Sequence, residues 1–149
     1  MPPVHLGAWL HLGILRSANT ALLYSGKINY VPIHFLYSSL PPDELTALYS
    51  TAGVCFVSST AEGMNLVSYE YLACHDAKAA IASRETIAPG RLVLSRFAGA
   101  AGLLKEALIV NPWDRAACAE ALAKAVTMKE RQAGERMRGL GATVEERSR

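Results

Sequence analysis

Small and polar residues cluster at one place in the sequence, just after the apolar run Val54–Val57. The first turn of an α-helix leaves backbone N–H groups unpaired and carries a partial positive charge, and both features favour a bound anion. Gly63 stands directly before such a turn, and its missing side chain leaves room for close approach. The N–H groups at this helix start are those of Met64, Asn65, Leu66 and Val67. They form a suitable site for a phosphate or a diphosphate.

Two glutamates flank these donors. Glu70 lies about one helical turn further along, on the order of 5 Å. Its carboxylate can accept hydrogen bonds from the two neighbouring hydroxyls of a ribose, as acidic residues do in dinucleotide folds. Glu62 precedes the glycine and could accept from sugar hydroxyls on the other side of the phosphates. The alternative is that this junction binds nothing, as most strand–glycine–helix junctions do, and that Glu70 is simply solvated.

These groups need a rigid frame, and the neighbouring sequence predicts one. Val54–Val57 is short, apolar and rich in β-branched and aromatic residues, which is typical of a central parallel strand. From about Asn65 the apolar residues follow helical spacing, which predicts a helix to about His75 with a possible extension over residues 77–82. The buried face of this helix would comprise Leu66, Val67, Tyr69, Tyr71 and Leu72.

Further strands and helices alternate along the rest of the chain. Val31–Tyr37 is predicted to be a strand, and Pro41 and Pro42 open a helix because proline is tolerated in a first helical turn. The buried face of that helix would comprise Leu45, Leu48 and Tyr49. Leu92–Leu94 and Ala107–Val110 are predicted to be the later strands.

The predicted end of the domain is helical. Asn111 or Asp114 would cap a helix that runs to about Met128. A second helical piece would reach Arg138, and the glycine-broken, charged remainder from Gly139 onward would fray. The alternation of strands and helices predicts an α/β fold, with a Rossmann-like parallel sheet, helices on both faces, and a ligand at the carboxyl ends of the strands.

The segment Ser58–Tyr71 reads Ser-Ser-Thr-Ala-Glu-Gly-Met-Asn-Leu-Val-Ser-Tyr-Glu-Tyr. It resembles the donor-binding segment of the trehalose-6-phosphate synthases of glycosyltransferase family 20, which are retaining enzymes of two-domain GT-B architecture. The resemblance covers about Tyr30 to Leu140, and its further motifs follow the family's order. They are Leu45–Tyr49, Val93–Ser95, Phe97–Ala101 and Ala107–Asp114.

The resemblance implies that the chain binds UDP-glucose as the later part of a GT-B donor domain. In the family, the segment matching Gly63–Val67 offers backbone groups to the donor, and the position of Glu70 holds the ribose. The position of Glu62 is usually aspartate and contacts the glucose, so the side chain here is one methylene longer. The turn that contains Ser39 and Leu40 would meet the uracil base, largely through backbone groups; without the resemblance it reads as an ordinary helix-initiating loop.

Two large side chains near the same edge receive simpler interpretations. Arg96 stands where the family usually has glutamate or glutamine, and we expect it to be solvated rather than bound to a diphosphate. Trp113 is expected to pack against the protein rather than to stack on a ligand.

Composition limits the classes of partner. The 149 residues are 51% apolar and 19% charged, which is typical of a globular α/β domain, and the net charge of +2 gives no reason to expect nucleic acid or a membrane surface. The three cysteines lack paired spacing, which favours a reducing compartment and hence the cytoplasm. They are Cys55, Cys74 and Cys118. No cofactor, metal site or catalytic residue is predicted.

The sequence predicts three regions, which are a divergent segment of uncertain fold over residues 1–29, the partial donor-binding domain over 30–140, and a frayed tail over 141–149. The basic pair and the acceptor domain of the family have no recognisable counterpart, so we expect the isolated chain to be inactive. Two hypotheses remain open. The chain is a donor-binding part of a synthase that transfers glucose to glucose 6-phosphate, with synthase subunits or an acceptor-domain partner, or it is a non-catalytic regulatory or interaction subunit that keeps a UDP-sugar pocket.

Overall fold

The computed structural model describes His34, Leu36 and residues 38–81 and 88–147. The chain divides into two compact units, Met1–Ser39 and Leu40–Arg149, and every element described below lies in the second. The predicted strand Val31–Tyr37 and the segment 1–29 lie largely or wholly outside the described residues.

A parallel sheet forms the centre of the second unit. Its three strands are β1 (Cys55–Val57), β2 (Leu92–Ser95) and β3 (Leu108–Val110), in the order β1-β2-β3. Both pairings are parallel, so all three carboxyl ends meet at one edge of the sheet. We call this the carboxyl edge and the opposite one the amino edge. The parallel sheet confirms the predicted fold class.

Four helices and one 3-10 turn connect and cover the strands. The helices are α1 (Pro42–Thr51), α2 (Leu66–Ile81), α3 (Arg115–Thr127) and α4 (Glu130–Arg147), and the 3-10 helix is Gly99–Gly102. As predicted, α1 begins with Pro42 in its first turn. Asp114 caps α3, because its Oδ1 accepts from the Ala117 N–H at 3.0 Å.

Apolar side chains pack on both faces of the sheet. Leu92 and Leu94 of β2 point to one face, where they join the buried side chains of α2 and α4 in a single cluster. Val93 points to the other face and packs with Val110 and with Cys118 of α3. Burial on both faces of β2 explains its unbroken apolar sequence and confirms the prediction of helices on both faces.

Burial differs between β1 and β2 in the described part of the sheet. Within the described sheet β2 is central and β1 lies at one side. Phe56 of β1 is 38% exposed, whereas Val93 beside it is 0% exposed. The apolar composition of β1 is therefore not matched by burial on both faces in the described part of the fold.

The predicted buried faces of two helices are also partly wrong. In α2, Tyr71 and Leu72 are buried as predicted, whereas Leu66 and Val67 are exposed and the polar Ser68 and His75 are buried. In α1, Leu48 is exposed, and the predicted Leu45 and Tyr49 are half-buried. Helical spacing defines a stripe, but the neighbouring elements decide which edge of that stripe they cover.

The predicted fraying after Gly139 is wrong for residues 139–147, because α4 continues to Arg147. A side-chain carbon added at Gly141 would lie 2.8 Å from Oδ2 of Asp76, and one at Gly139 would lie 3.1 Å from Cγ of Glu106. The glycines thus let α4 pack closely against the rest of the fold, which outweighs their low helix propensity. None of the helices in the described part of the chain has the length and apolar character needed to cross a bilayer.

Candidate functional site

The junction between β1 and α2 lies at the carboxyl edge, as predicted. The strand ends at Val57, the loop passes through Gly63, and α2 begins at Leu66. No atom of the residues that the structure describes would lie within 4 Å of a side-chain carbon added at Gly63. Its φ is outside the left-handed region, so neither crowding nor backbone conformation requires a glycine here. The space beside Gly63 is open to a ligand.

The hydrogen bond that caps α2 uses an N–H group other than the four predicted donors. Asn65 is the residue before α2, and its Oδ1 accepts the backbone N–H of Ser68 at 2.8 Å. The Ser68 hydroxyl donates to the same oxygen. Because a helix leaves its first N–H groups without intrahelical partners, those of Leu66 and Val67 stay available for an anion. Met64 is 69% exposed beside them.

The carboxylate of Glu62 is held in place beside these donors. Nδ2 of Asn65 donates to Oε2 of Glu62 at 2.6 Å. Hydrogen bonds from Ser59 and from Asn65 keep the pKa of Glu62 below its ordinary value. The side chain is therefore ionised at neutral pH and can accept hydrogen bonds from hydroxyl groups.

A second loop crosses this one and fixes its backbone. The N–H of Glu62 donates to the Phe97 carbonyl at 3.4 Å, and the N–H of Gly99 donates to the Glu62 carbonyl at 2.9 Å. A side-chain carbon on Gly99 would overlap the carbonyl oxygen of Gly63 and lie 2.7 Å from its carbonyl carbon. The loops after β1 and β2 can therefore cross only because residue 99 has no side chain.

Glu70 lies in the second turn of α2 and is exposed. Its charge and a hydrogen bond act on the Tyr49 hydroxyl of α1, whose pKa is raised first by burial and then by Glu70. A carboxylate has about four acceptor positions, so one contact with Tyr49 leaves room for the two hydroxyls of a ribose. The sequence did not suggest this partner.

The remaining residues discussed from the sequence lie outside the segment 57–70 that forms the junction. Ser39 is exposed and belongs to the first unit, whereas Leu40 is half-buried at the start of the second. Arg96 is exposed at the end of β2, and its N–H donates to the Val110 carbonyl at 2.9 Å. Trp113 is 73% exposed, so the prediction that it packs against the protein is wrong.

Sequence reasoning missed three contributors to this site. They are Ser59, the side chain of Asn65, and Gly99 as a crossing point. A signal for Asn65 was present, because asparagine is among the most favoured residues directly before a helix. No local signal links Gly99 to Glu62, since β2 and α2 lie between them in the chain.

Among the described residues, no group of three or more histidine, cysteine or acidic side chains could hold a metal ion. A cavity of about 10 Å³ lies at the amino edge, lined in part by Arg91, Leu108 and Met137. Ligand pockets are typically about 300–1,000 Å³, so this cavity is too small for a sugar nucleotide. This cavity therefore does not replace the carboxyl-edge junction as the candidate site.

The parallel sheet and its carboxyl-edge junction define a Rossmann-like α/β fold, and comparison with known proteins gives the family. The family model "Glycosyltransferase family 20" matches residues 21–149. The chain belongs to glycosyltransferase family 20. Within it, the chain is 49% identical over 105 residues to the UDP-forming alpha,alpha-trehalose-phosphate synthase of Candida albicans, which covers 70% of this chain and 20% of that protein.

Solved structures agree with this assignment. An E. coli trehalose-6-phosphate structure bound with UDP-2-fluoro glucose has a TM-score of 0.79 at 31% identity, over 95% of this chain and 30% of that one. The UDP-forming alpha,alpha-trehalose-phosphate synthase from Burkholderia xenovorans in complex with glucose-6-phosphate has a TM-score of 0.82 at 33% identity, over 97% of this chain and 30% of that one. The chain thus spans about a fifth of the curated relative and under a third of the solved chains.

Proposed function

We propose that this chain is the UDP-glucose-binding part of a UDP-forming trehalose-phosphate synthase, acting in the cytoplasm. The open space beside Gly63 is the observation that carries the proposal. The protein itself has no steric or conformational need for glycine at this position. A diphosphate that approaches the backbone would need it, because any side chain would occupy the space in which the phosphates lie.

The remaining contacts belong to the same proposal, and the contacts with the uracil base rest on the resemblance to the family. The free N–H groups of Leu66 and Val67 point toward the diphosphate, and the helix dipole of α2 adds a partial positive charge. Glu70 accepts from the ribose hydroxyls and Glu62 from the glucose hydroxyls. Ser39 and Leu40 meet the uracil base.

Two of the solved structures that this chain resembles contain ligands that correspond to the donor and to the acceptor of the complete reaction. One is bound with UDP-2-fluoro glucose and another is in complex with glucose-6-phosphate. We propose that the 149 residues supply the donor half, and that an acceptor half positions glucose 6-phosphate. Positioning of this kind accounts for up to roughly 7–11 kcal/mol of a barrier. The 149 residues alone are therefore expected to bind the donor without transferring glucose.

Calorimetry with a pair of matched glycine variants tests the binding. The wild-type chain should bind UDP-glucose weakly, with a Kd above about 0.1 mM. Gly63→Ala should weaken binding about tenfold or more at unchanged stability. Gly53→Ala is the control, because residue 53 has equally open surroundings but lies at the amino edge. Absence of binding by folded wild-type chain at several millimolar ligand, or equal affinities in both variants, would overturn the proposal.

A second experiment separates the synthase part from a regulatory subunit with the same pocket. The purified chain is mixed with a separately produced acceptor half of a related synthase, UDP-glucose and glucose 6-phosphate, and UDP release is measured. Acceptor-dependent UDP release that disappears in Gly63→Ala supports a donor half. UDP-glucose binding without any release supports the regulatory alternative.

A further inference from the structure

Glu62 lies in a surface loop, and hydrogen bonds hold both its backbone and its carboxylate. The residues around it, Thr60, Ala61, Gly63 and Met64, are exposed, whereas Glu62 itself is half-buried. Its N–H donates to Phe97 and its carbonyl accepts from Gly99, so the peptide groups on both sides are fixed. Its carboxylate is bound by Ser59 and Asn65.

Asn65 joins this carboxylate to the start of α2. Its side chain is 1% exposed, and its two polar atoms act in opposite directions. Nδ2 donates to Glu62, while Oδ1 accepts the Ser68 N–H in the first turn of α2. One rigid amide therefore sets the position of the carboxylate relative to the helix N–H groups.

Fixing the Glu62 side chain costs conformational entropy, and solvation of the carboxylate alone would not require it. A glutamate side chain loses much rotamer freedom when it is fixed, and a solvated carboxylate needs no fixed orientation. An acceptor that must meet particular hydroxyls gains from being held in place before the ligand arrives. A glutamate side chain has three rotatable bonds, so without these hydrogen bonds its carboxylate would sample many positions.

We propose that Asn65 is a positioning residue that holds the Glu62 carboxylate as a preset acceptor for the sugar hydroxyls of the donor, at a fixed distance from the diphosphate N–H groups. The inference rests on the proposed function. Ser59 supports the same orientation from the loop. Sugar recognition and diphosphate recognition are thereby joined in one hydrogen-bonded unit, Ser59–Glu62–Asn65–Ser68.

Asn65→Asp tests the positioning bond without any ligand. Aspartate caps a helix as well as asparagine does, so the bond to the Ser68 N–H persists. The Nδ2 donor becomes an anionic oxygen facing Glu62, and like charges at this distance raise a carboxyl pKa. We expect the pKa of Glu62, followed by carboxyl carbon-13 NMR, to rise by about one unit or more. Ser68→Ala is the control, because it leaves Nδ2 in place and should leave that pKa unchanged.

The ligand arm compares UDP-glucose with UDP by calorimetry on the full 149-residue chain. The added charge of Asn65→Asp weakens both ligands, so the ratio of their affinities isolates the sugar contact. We expect the preference for UDP-glucose over UDP to fall about fivefold or more in Asn65→Asp and in Glu62→Gln, and the double variant to lose no more than either.

The outcomes distinguish this inference from the proposed function. An unchanged pKa of Glu62 in Asn65→Asp overturns the positioning role, even if UDP-glucose binds. An unchanged affinity ratio overturns it as well and leaves the proposed function standing. Failure of the folded wild-type chain to bind either ligand overturns both.

Discussion

Each edge of the sheet contains a glycine that allows two segments to pack closely, but the two edges differ in what their polar groups bind. At each edge a glycine lets two segments meet, since a side-chain carbon on Gly99 would overlap Gly63, and one on Gly90 would lie 2.8 Å from Nε2 of His75. At the amino edge, the Tyr71 hydroxyl donates to the Ala52 carbonyl at 3.0 Å and accepts from the Arg91 N–H at 3.1 Å.

Most polar groups described at the amino edge thus form hydrogen bonds within the protein. The rings of Tyr71 and His75 lie 4.6 Å apart, and the Arg91 guanidinium donates to two backbone carbonyls. Among buried side-chain polar atoms in the described ranges, only Nε of Arg91 lacks a partner. At the carboxyl edge, N–H groups of α2 and oxygens of Glu62 remain available. The difference supports the proposal that the carboxyl edge binds the ligand, whereas the amino edge holds the elements together.

Gly99→Ala should produce the largest effect, because the added methyl group forces the two loops of the carboxyl edge apart. We expect a loss of about 3 kcal/mol in the free energy of unfolding, at the upper end for overpacking, and loss of UDP-glucose binding. Urea unfolding and calorimetry measure the two effects. Gly102 lies in the same 3-10 helix, and a side-chain carbon added there would meet no described atom within 4 Å. Gly102→Ala is the control and should have nearly wild-type stability and binding. Equal stabilities would show that the crossing is not tight.

Glu70→Ala tests whether the carboxyl edge binds rather than stabilises. If Glu70 holds the ribose, UDP affinity should fall by about 2 kcal/mol, or about 30-fold, while stability changes by less than about 0.5 kcal/mol. Calorimetry and denaturant unfolding provide the two values. Tyr49→Phe removes the hydroxyl beside Glu70 and should bind UDP normally. A destabilised Glu70→Ala chain with unchanged UDP affinity would make Glu70 a structural residue.

Tyr71→Phe tests the opposite role for the amino edge. The change removes two hydrogen bonds, but the Ala52 carbonyl keeps Nε2 of His75 at 3.3 Å and the Arg91 N–H keeps the Gly53 carbonyl at 3.1 Å. We therefore expect the free energy of unfolding to fall by about 1 kcal/mol. The UDP-glucose affinity of the folded chain should not change. Weakened binding at unchanged stability would contradict the division of roles between the edges.

The contribution of Tyr71 to stability should also depend on pH, which is the smallest of the expected effects. Burial raises the pKa of Tyr71 from 10.0 to about 12. Because the unfolded chain then loses its proton first, the contribution of Tyr71 is complete below pH 10 and is lost as the pH rises toward 12. The stability advantage of wild type over Tyr71→Phe should therefore shrink over this range in thermal unfolding. A constant difference would show that Tyr71 ionises as it does in the unfolded chain.

Features that depend on neighbouring residues were predictable from the sequence. The apolar run of β1, the glycine after it and the start of α2 follow one another within a dozen residues, so propensity and capping rules apply directly. Proline at the start of α1 and Asp114 before α3 are local signals of the same kind. The resemblance to the family added the GT-B fold, because its motifs occur in order along the chain.

Features that depend on distant residues were decided by the tertiary structure. The crossing of Gly99 over Gly63, the contact of Glu70 with Tyr49 and the continuation of α4 past Gly139 each join segments far apart in sequence. The exposure of Leu66 and Trp113 was also missed, because local periodicity does not reveal which surfaces other elements cover. The sequence thus determined which groups could bind a diphosphate. Only the packing of the loops after β1 and β2 decided that the backbone of Glu62 would be fixed beside them, since hydrogen bonds between distant segments form only once the sheet aligns its strand ends.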